Sequence, residues 1–187
     1  MADEILSERL VHRGWLDLKI ATIRLAGGEI VDREIVDHPS GAAVLAYDPE
    51  RRVAMLVCEC RPPVLSEGAE PMLEVIAGAL DGDEPAQCAR REALEEGGLR
   101  LRGLERVAET WATPATSTER VTSFLAAYGP ADRVGPGGGL DAEAEHLRVR
   151  EVPLAELGRR MDAAGIRDAK TLLLLQALRL RQPALFD

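Results

Sequence analysis

Long apolar runs are missing from this chain of 187 residues. No stretch approaches the ~18 consecutive apolar residues of a membrane-spanning helix, which excludes a membrane partner. The N-terminal stretch mixes Asp, Glu, Arg and His with no apolar segment, so no secretory leader is expected. Cysteine is scarce: Cys58, Cys60 and Cys88 form no disulfide framework, and an odd number suits a reducing compartment, here the cytoplasm. Cys58 and Cys60 would point the same way from one strand, which makes buried thiols the expectation rather than a bridge. His12, His38 and His146 are scattered, and with three cysteines they give no zinc pattern. The surplus of acid, a net charge of −9, excludes nucleic acid as a main partner, because a phosphate backbone demands a basic surface. Lysine is nearly absent, with only Lys19 and Lys170, so the basic charge is arginine, whose fork suits diphosphates. Aromatics make up 3%, and Trp111 is expected in the core more than stacked on a base.

What remains is a chain with 46% hydrophobic residues, rich in Ala and Leu, long enough for one domain with a substantial core. Residues 1–13 read as a helical or loose charged lead-in. Strands are expected over 15–25 and 29–36, joined by a hairpin at Gly27-Gly28. Further strands are expected over 42–47, 52–60 and 72–77, with Arg61-Pro62-Pro63 ending the second of these and a surface loop over 64–71. A half-exposed strand over 99–107, a strand over 121–128, a glycine-rich loop over 129–139 and a strand over 147–152 follow. Pro153 starts a helix to about residue 164 that Gly165 caps. A last helix over 169–181 is so dense in leucine that both faces should be largely covered. The order of strands and helices predicts an α/β fold, a mixed sheet between helices in an α/β/α sandwich.

The chemistry concentrates in one helix. Pro85 suits a first turn, and Gly97-Gly98 stop the helix after Glu96. Glu92 and Glu96 are four apart and Glu95 is three from Glu92, so three carboxylates crowd one helix end. They repel one another and oppose the macrodipole. A sequence that accepts both penalties is holding a hard divalent cation, and oxygen-only ligands suit Mg²⁺ or Mn²⁺.

Arg91, Glu92, Ala93, Glu95, Glu96, Gly98 and Leu99 resemble, position for position, the second half of the Nudix box, G-x5-E-x7-R-E-U-x-E-E-x-G-U with U aliphatic. The first half is one residue short, and either Asp83 or Glu84 stands for its first Glu. Glu74-Val75-Ile76-Ala77-Gly78 resembles the approach to the box in the ADP-ribose pyrophosphatase branch. The short loop from Gly78 to Pro85, Gly137-Gly138-Gly139 with the acidic run after it, and Ile166-Arg167-Asp168-Ala169-Lys170-Thr171 are similar to its GDP-mannose pyrophosphatase subgroup.

The resemblance implies a Nudix-type sandwich over the whole chain, residues 1–187. Residues 1–36 would be dimerisation strands and 37–187 the catalytic core of a homodimer. It implies Mg²⁺-dependent hydrolysis of the diphosphate of a nucleoside diphosphate sugar, GDP-mannose or, next, ADP-ribose. A Nudix-fold module that binds a nucleotide sugar without cleaving it is the alternative from another class. Glu92, Glu96 and the Ala77 carbonyl are implied as metal ligands, and Glu95 as a further ligand or a water-bridged partner of one. Arg91 would orient a box carboxylate. Glu145, with Glu143 as the alternative, is implied as the catalytic base and a metal ligand. Arg33, Glu34, Arg61, Glu119 and Lys170 fall where the family binds substrate, some of them supplied across the dimer.

Overall fold

The computed structural model describes residues 2–140 and 147–187. Its contacts divide the chain into two compact units, residues 1–41 with 109–121, and residues 42–108 with 122–187.

The first unit is built on a three-stranded antiparallel sheet of β1 (Glu4–Arg13), β2 (Asp17–Arg24) and β3 (Ile30–Asp37), in that order. The hairpin expected at Gly27-Gly28 joins β2 to β3. Gly28 takes a φ of 94°, and its N–H donates to the Leu25 carbonyl at 2.8 Å. Residues 1–13 are not the helical or loose lead-in that their charge suggested. They form β1, and all ten residues of that strand are exposed. A strand wet on both faces lacks the apolar alternation by which strands are read. Within this unit the Val36 N–H donates to the Thr116 carbonyl at 2.7 Å, the Val36 carbonyl accepts from the Thr118 N–H at 3.0 Å, and Lys19 pairs with Asp37. Trp111 is not a core residue. It is 55% exposed and lies under the Arg120 guanidinium, 5.8 Å from the ring centroid.

In the second unit, β4 (Gly41–Asp48) and β5 (Val53–Cys58) are buried almost without interruption, as strands covered on both faces must be. They lie in a mixed sheet in the order β10 (Arg148–Pro153), β5, β4, β9 (Arg120–Ala127), β8 (Glu105–Trp111). β6 (Leu73–Glu74) pairs with β5, and β7 (Ile76–Ala79) with β4. The strand expected from residue 99 starts at Glu105, and the loop expected over 64–71 is entered through a short helix, α1 (Pro62–Ser66).

Side chains alternate along each strand, so the two faces have different partners. Ala42, Val44, Ala46, Met55 and Val57 share a core with Cys88, Ala89 and Ala93 of α2 (Pro85–Glu95). Small residues on α2 bring its backbone close to the sheet. On the other face the Tyr47 hydroxyl accepts from Gln182 at 2.8 Å, at the end of α4 (Ala169–Arg181), beside α3 (Leu154–Asp162). Leu174, Leu175 and Leu178 of α4 are fully buried, but Leu180 is 86% exposed, so the leucines do not cover both faces equally. The left-handed residue that ends α3 is Ala164, at φ 53°, one before the expected Gly165.

Asp168 starts α4. Its carboxylate accepts from the Thr171 N–H at 2.9 Å, from the Thr171 hydroxyl at 2.6 Å and from Lys170 Nζ at 2.8 Å. The Thr171 hydroxyl in turn accepts from the Val75 N–H at 2.8 Å, which ties α4 to the strands before α2. Burial alone would raise the Asp168 pKa, but the Lys170 charge and the Lys170 and Thr171 hydrogen bonds hold it below the usual 3.8. A carboxyl with a depressed folded-state pKa adds stability above its unfolded pKa and loses it as pH falls through the folded one. Asp168→Ala should cost about 1–3 kcal/mol at pH 7, by loss of the cap and of the buried partner of Thr171. The gap to wild type should narrow below about pH 4, where the wild-type carboxyl protonates. Urea unfolding at a series of pH values measures both; a gap independent of pH would contradict the assignment.

Candidate active site

α2 is set by its ends. Glu84 sits at the N-cap in extended geometry with Pro85 in the first turn, and its N–H donates to the Gln87 side chain at 3.4 Å. At the other end the Leu99 N–H reaches back to the Ala93 carbonyl at 2.8 Å, and Gly98 takes a φ of 65°. A Cβ on Gly98 would overlap the Gly135 carbonyl, so this turn needs glycine twice over.

Between these ends Glu92 and Glu96 are 8% and 4% exposed. Burying carboxylates is costly unless hydrogen bonds or positive charge compensate. Glu92 accepts from Arg91 Nη1 at 2.6 Å, and Glu96 accepts from the Ala77 N–H at 3.3 Å. The Glu92 carboxylate lies against Gly78 so closely that a Cβ there would overlap it. The glycine therefore makes a cradle in which a carboxylate rests on bare backbone.

Arg91 organises the loop before the helix. Besides Glu92 it donates to the Ala79 carbonyl at 2.9 Å, to Asp83 at 3.2 Å and to Glu95 at 3.3 Å. Burial alone would lower its pKa, but the Glu92 charge and the Asp83 hydrogen bond raise it above the ordinary arginine value. In the shortened loop Asp83 faces Arg91 and Glu84 starts the helix. Cys88 packs beneath. Its Sγ donates to the Ala79 carbonyl at 3.2 Å, and burial, with the nearby Glu92 charge, pushes its pKa up to about 11, which leaves an inert thiol.

A second cluster stands on Glu74, which is 3% exposed. Arg61 grips it with Nε at 3.1 Å and Nη2 at 3.3 Å and pairs with Glu59 at 2.8 Å, while Lys170 Nζ stands 3.9 Å from it. Burial alone would lower the Arg61 pKa. Glu74, Glu59 and Glu96 together raise it, so the field of the helix reaches this cluster. Glu74 was not singled out in the sequence, although it opens the Glu74-Val75-Ile76-Ala77-Gly78 approach. A buried acid carries no sequence mark until its two cations are folded onto it.

The structure thus gathers Ala77, Glu92, Glu95, Glu96, Arg61 and Lys170 in the second unit. Arg33 and Glu34 lie in the first unit as exposed neighbours on β3, and alternation sends them to opposite faces of its sheet. Glu119, also in the first unit, stands 4.0 Å from His38. Glu145 and Glu143 lie outside the described residues. Among the described residues no three His, Cys, Asp or Glu side chains are gathered as a metal site, and Arg91 Nη1 holds both Glu92 and Glu95. Two buried carboxylates over a glycine cradle nevertheless form an oxygen-only donor set, which fits a hard divalent ion that keeps waters and substrate phosphates as its other ligands.

A helix with buried acids at its end, and an arginine and a lysine gathered on a buried acid nearby, could serve an anionic substrate together with a divalent cation. A family model described as NUDIX domain matches residues 37–175. The chain belongs to the Nudix family and is a Nudix hydrolase. It is 38% identical over 184 residues to a GDP-mannose pyrophosphatase of Cronobacter sakazakii, covering 95% of each chain. It is 34% identical over 180 residues to a GDP-mannose pyrophosphatase of Klebsiella pneumoniae, covering 93% of this chain and 90% of that one. Among the described residues no helix is long and apolar enough to cross a membrane.

The two glycines should fail differently. At Gly78 the obstructing atoms are the end of a flexible side chain, whereas at Gly98 they are backbone. Gly78→Ala should melt within a few degrees of wild type yet lose Mn²⁺ affinity and activity by about 10²-fold, because the Glu92 carboxylate is displaced. Gly98→Ala should lose about 1–3 kcal/mol of stability. Thermal melts and calorimetric Mn²⁺ titration separate the two, and full Mn²⁺ affinity in Gly78→Ala would contradict the cradle.

Proposed function

We propose that this chain hydrolyses the diphosphate bond of a nucleoside diphosphate sugar with Mg²⁺, Mn²⁺ serving as a substitute, and that GDP-mannose is the substrate, yielding GMP and mannose 1-phosphate. The observation that carries this reading is the pair of buried carboxylates, Glu92 and Glu96, set against the Ala77–Gly78 backbone beside the Arg61–Glu74–Lys170 cluster. The names of the relatives, at 38% and 34% identity over nearly full length, support the choice of sugar nucleotide.

In this reading Glu92, Glu96 and the Ala77 carbonyl hold the cation, which supplies charge neutralisation at the diphosphate and an activated water. Arg91 positions Glu92 and keeps Glu95 aligned beside it. Arg61 and Lys170, held together by Glu74, meet the diphosphate charge, Arg61 through its planar fork and Lys170 as a point charge. Glu145 takes the proton of the attacking water and contributes a further oxygen to the cation. Arg33, Glu34 and Glu119 bind the rest of the substrate.

Residues 1–36 act as dimerisation strands, and 37–187 as the catalytic core of one Nudix domain. In support, β1 carries Ile5, Leu6, Leu10 and Val11 at 38–54% exposure, apolar surface that a partner subunit would cover. The free cysteines agree with a cytoplasmic setting.

Glu96→Gln should abolish GMP release from GDP-mannose, and Glu145→Gln should lower kcat by about 10²–10⁴ with substrate binding retained. Ion-exchange analysis of products from GDP-mannose, ADP-ribose, ADP-glucose and NADH ranks the substrates. AMP from ADP-ribose ahead of GMP from GDP-mannose would move the substrate to ADP-ribose, and full activity in Glu96→Gln would overturn the mechanism. Deletion of residues 1–36 should give a monomer of low activity by gel filtration and assay; an active monomer would contradict the role of the strands.

A further inference from the structure

The second unit carries a cavity that the chemistry above does not use. On β10, Arg148 and Arg150 are two apart and share a face, while Val149 between them packs toward the core on the other. Arg148 pairs with Cys58 and Arg150 with Leu56 across the antiparallel β10–β5 ladder. Their neighbours Met55 and Val57 share the core with α2, so the two arginines stand on the opposite face of the sheet from the box helix. Arg160 from α3 and Arg167 from the turn before α4 complete a cavity of ≈ 220 Å³ with Leu73 and Ile166.

Four arginines around one cavity repel one another unless anions sit among them. Arg160 pairs with Glu156 at 2.5 Å. Two of the other three find weaker partners: Arg167 donates to the Glu70 carbonyl at 2.9 Å and Arg148 to Cys58 Sγ at 3.6 Å. Among the described residues no carboxylate stands within ion-pair distance of Arg148, Arg150 or Arg167. This happens in a chain with a net charge of −9, where Arg51, Arg61, Arg91 and Arg179 all hold carboxylates. Guanidinium forks match phosphate oxygens, and a walled basic recess focuses the field on an entering anion.

The size selects the ligand. Sites for drug-sized molecules run from about 300 Å³ upward, so this recess by itself fits a phosphate group. A second cleft of ≈ 390 Å³ shares Leu73, Arg150 and Arg160 with it and adds Glu151, which Arg51 and the Tyr128 hydroxyl hold, and Glu156, whose Oε1 takes both Arg160 contacts and whose other oxygen can accept from a hydroxyl group.

We propose that this recess binds a small phosphate monoester of a hydroxyl-rich alcohol, such as a sugar phosphate, with the phosphate on Arg148, Arg150 and Arg167 and the alcohol in the adjoining cleft. The site can report to the active site through two short links. Leu73 lines it and Glu74 holds Arg61 and Lys170; Arg167 lines it and Asp168 holds Lys170. The binding claim does not depend on which substrate the enzyme cleaves.

The test is calorimetric titration of the full chain with glucose 6-phosphate, with orthophosphate and with glucose, in EDTA so that no cation recruits phosphate to the box. Saturable one-to-one binding of glucose 6-phosphate is expected, tighter than orthophosphate, with none for glucose. Arg150→Ala/Arg167→Ala should weaken it at least tenfold, and Glu92→Gln should bind as wild type. Both arginines are exposed, so the double variant should melt as wild type does. No saturable binding by wild type, or equal binding by the double variant, would overturn the site. Loss of binding in Glu92→Gln would place the anion at the box instead. Orthophosphate bound as tightly as the monoester would overturn the assignment of the cleft.

Discussion

The contact between the Glu92 carboxylate and the bare backbone at Gly78 constrains everything around it. For a carboxylate to rest there, residue 78 must lack a side chain, and the helix must approach the strand closely. That approach is made by Cys88, Ala89 and Ala93, small residues that are fully buried against the sheet. The helix must also end abruptly, which Gly98 allows through its left-handed geometry and its contact with Gly135. The charge so buried needs compensation, and Arg91 supplies part of it while stapling the preceding loop through Asp83 and Ala79.

A second buried acid, Glu74, extends the same logic to the neighbouring strand. It gathers Arg61 and Lys170, residues far apart in the chain, and Asp168 fixes Lys170 from the other side. Because Thr171 bonds both Asp168 and the Val75 N–H, the start of α4, the approach to the box and the cation pair form one hydrogen-bonded unit. The positive charge of Arg61 and Lys170 is therefore positioned by negative charge in the core. Among the described residues Arg148, Arg150 and Arg167 of the β10 recess have no such acid, which is what sets them apart.

Much of this was legible because it is local. The spacing of Glu92, Glu95 and Glu96, the proline at one helix end and the glycine pair at the other act within a few residues of one another. The alternation of β2 and β3 and the leucines of α4 belong to the same class. What was not legible depends on surroundings. The strand β1 is wet on both faces, so its pattern carried no strand signal. Trp111 is apolar by composition, yet it lies on the surface under Arg120. Leu180 continues the leucine run but faces solvent.

The sequence by itself determined the box helix, its ends and its acidic face, since each follows from periodicity and backbone preference over one or two turns, and the resemblance of these residues to the Nudix box implied the class of chemistry they serve. Only the tertiary structure decided which acid of the shortened loop meets Arg91 and that one Arg91 nitrogen holds both Glu92 and Glu95. It alone decided that Glu74 joins Arg61 to Lys170, and that four arginines from a strand, a helix and a turn line one recess. Those outcomes depend on which side chains are buried together, and burial is settled by packing among distant segments, where the cost of an unpaired charge is largest.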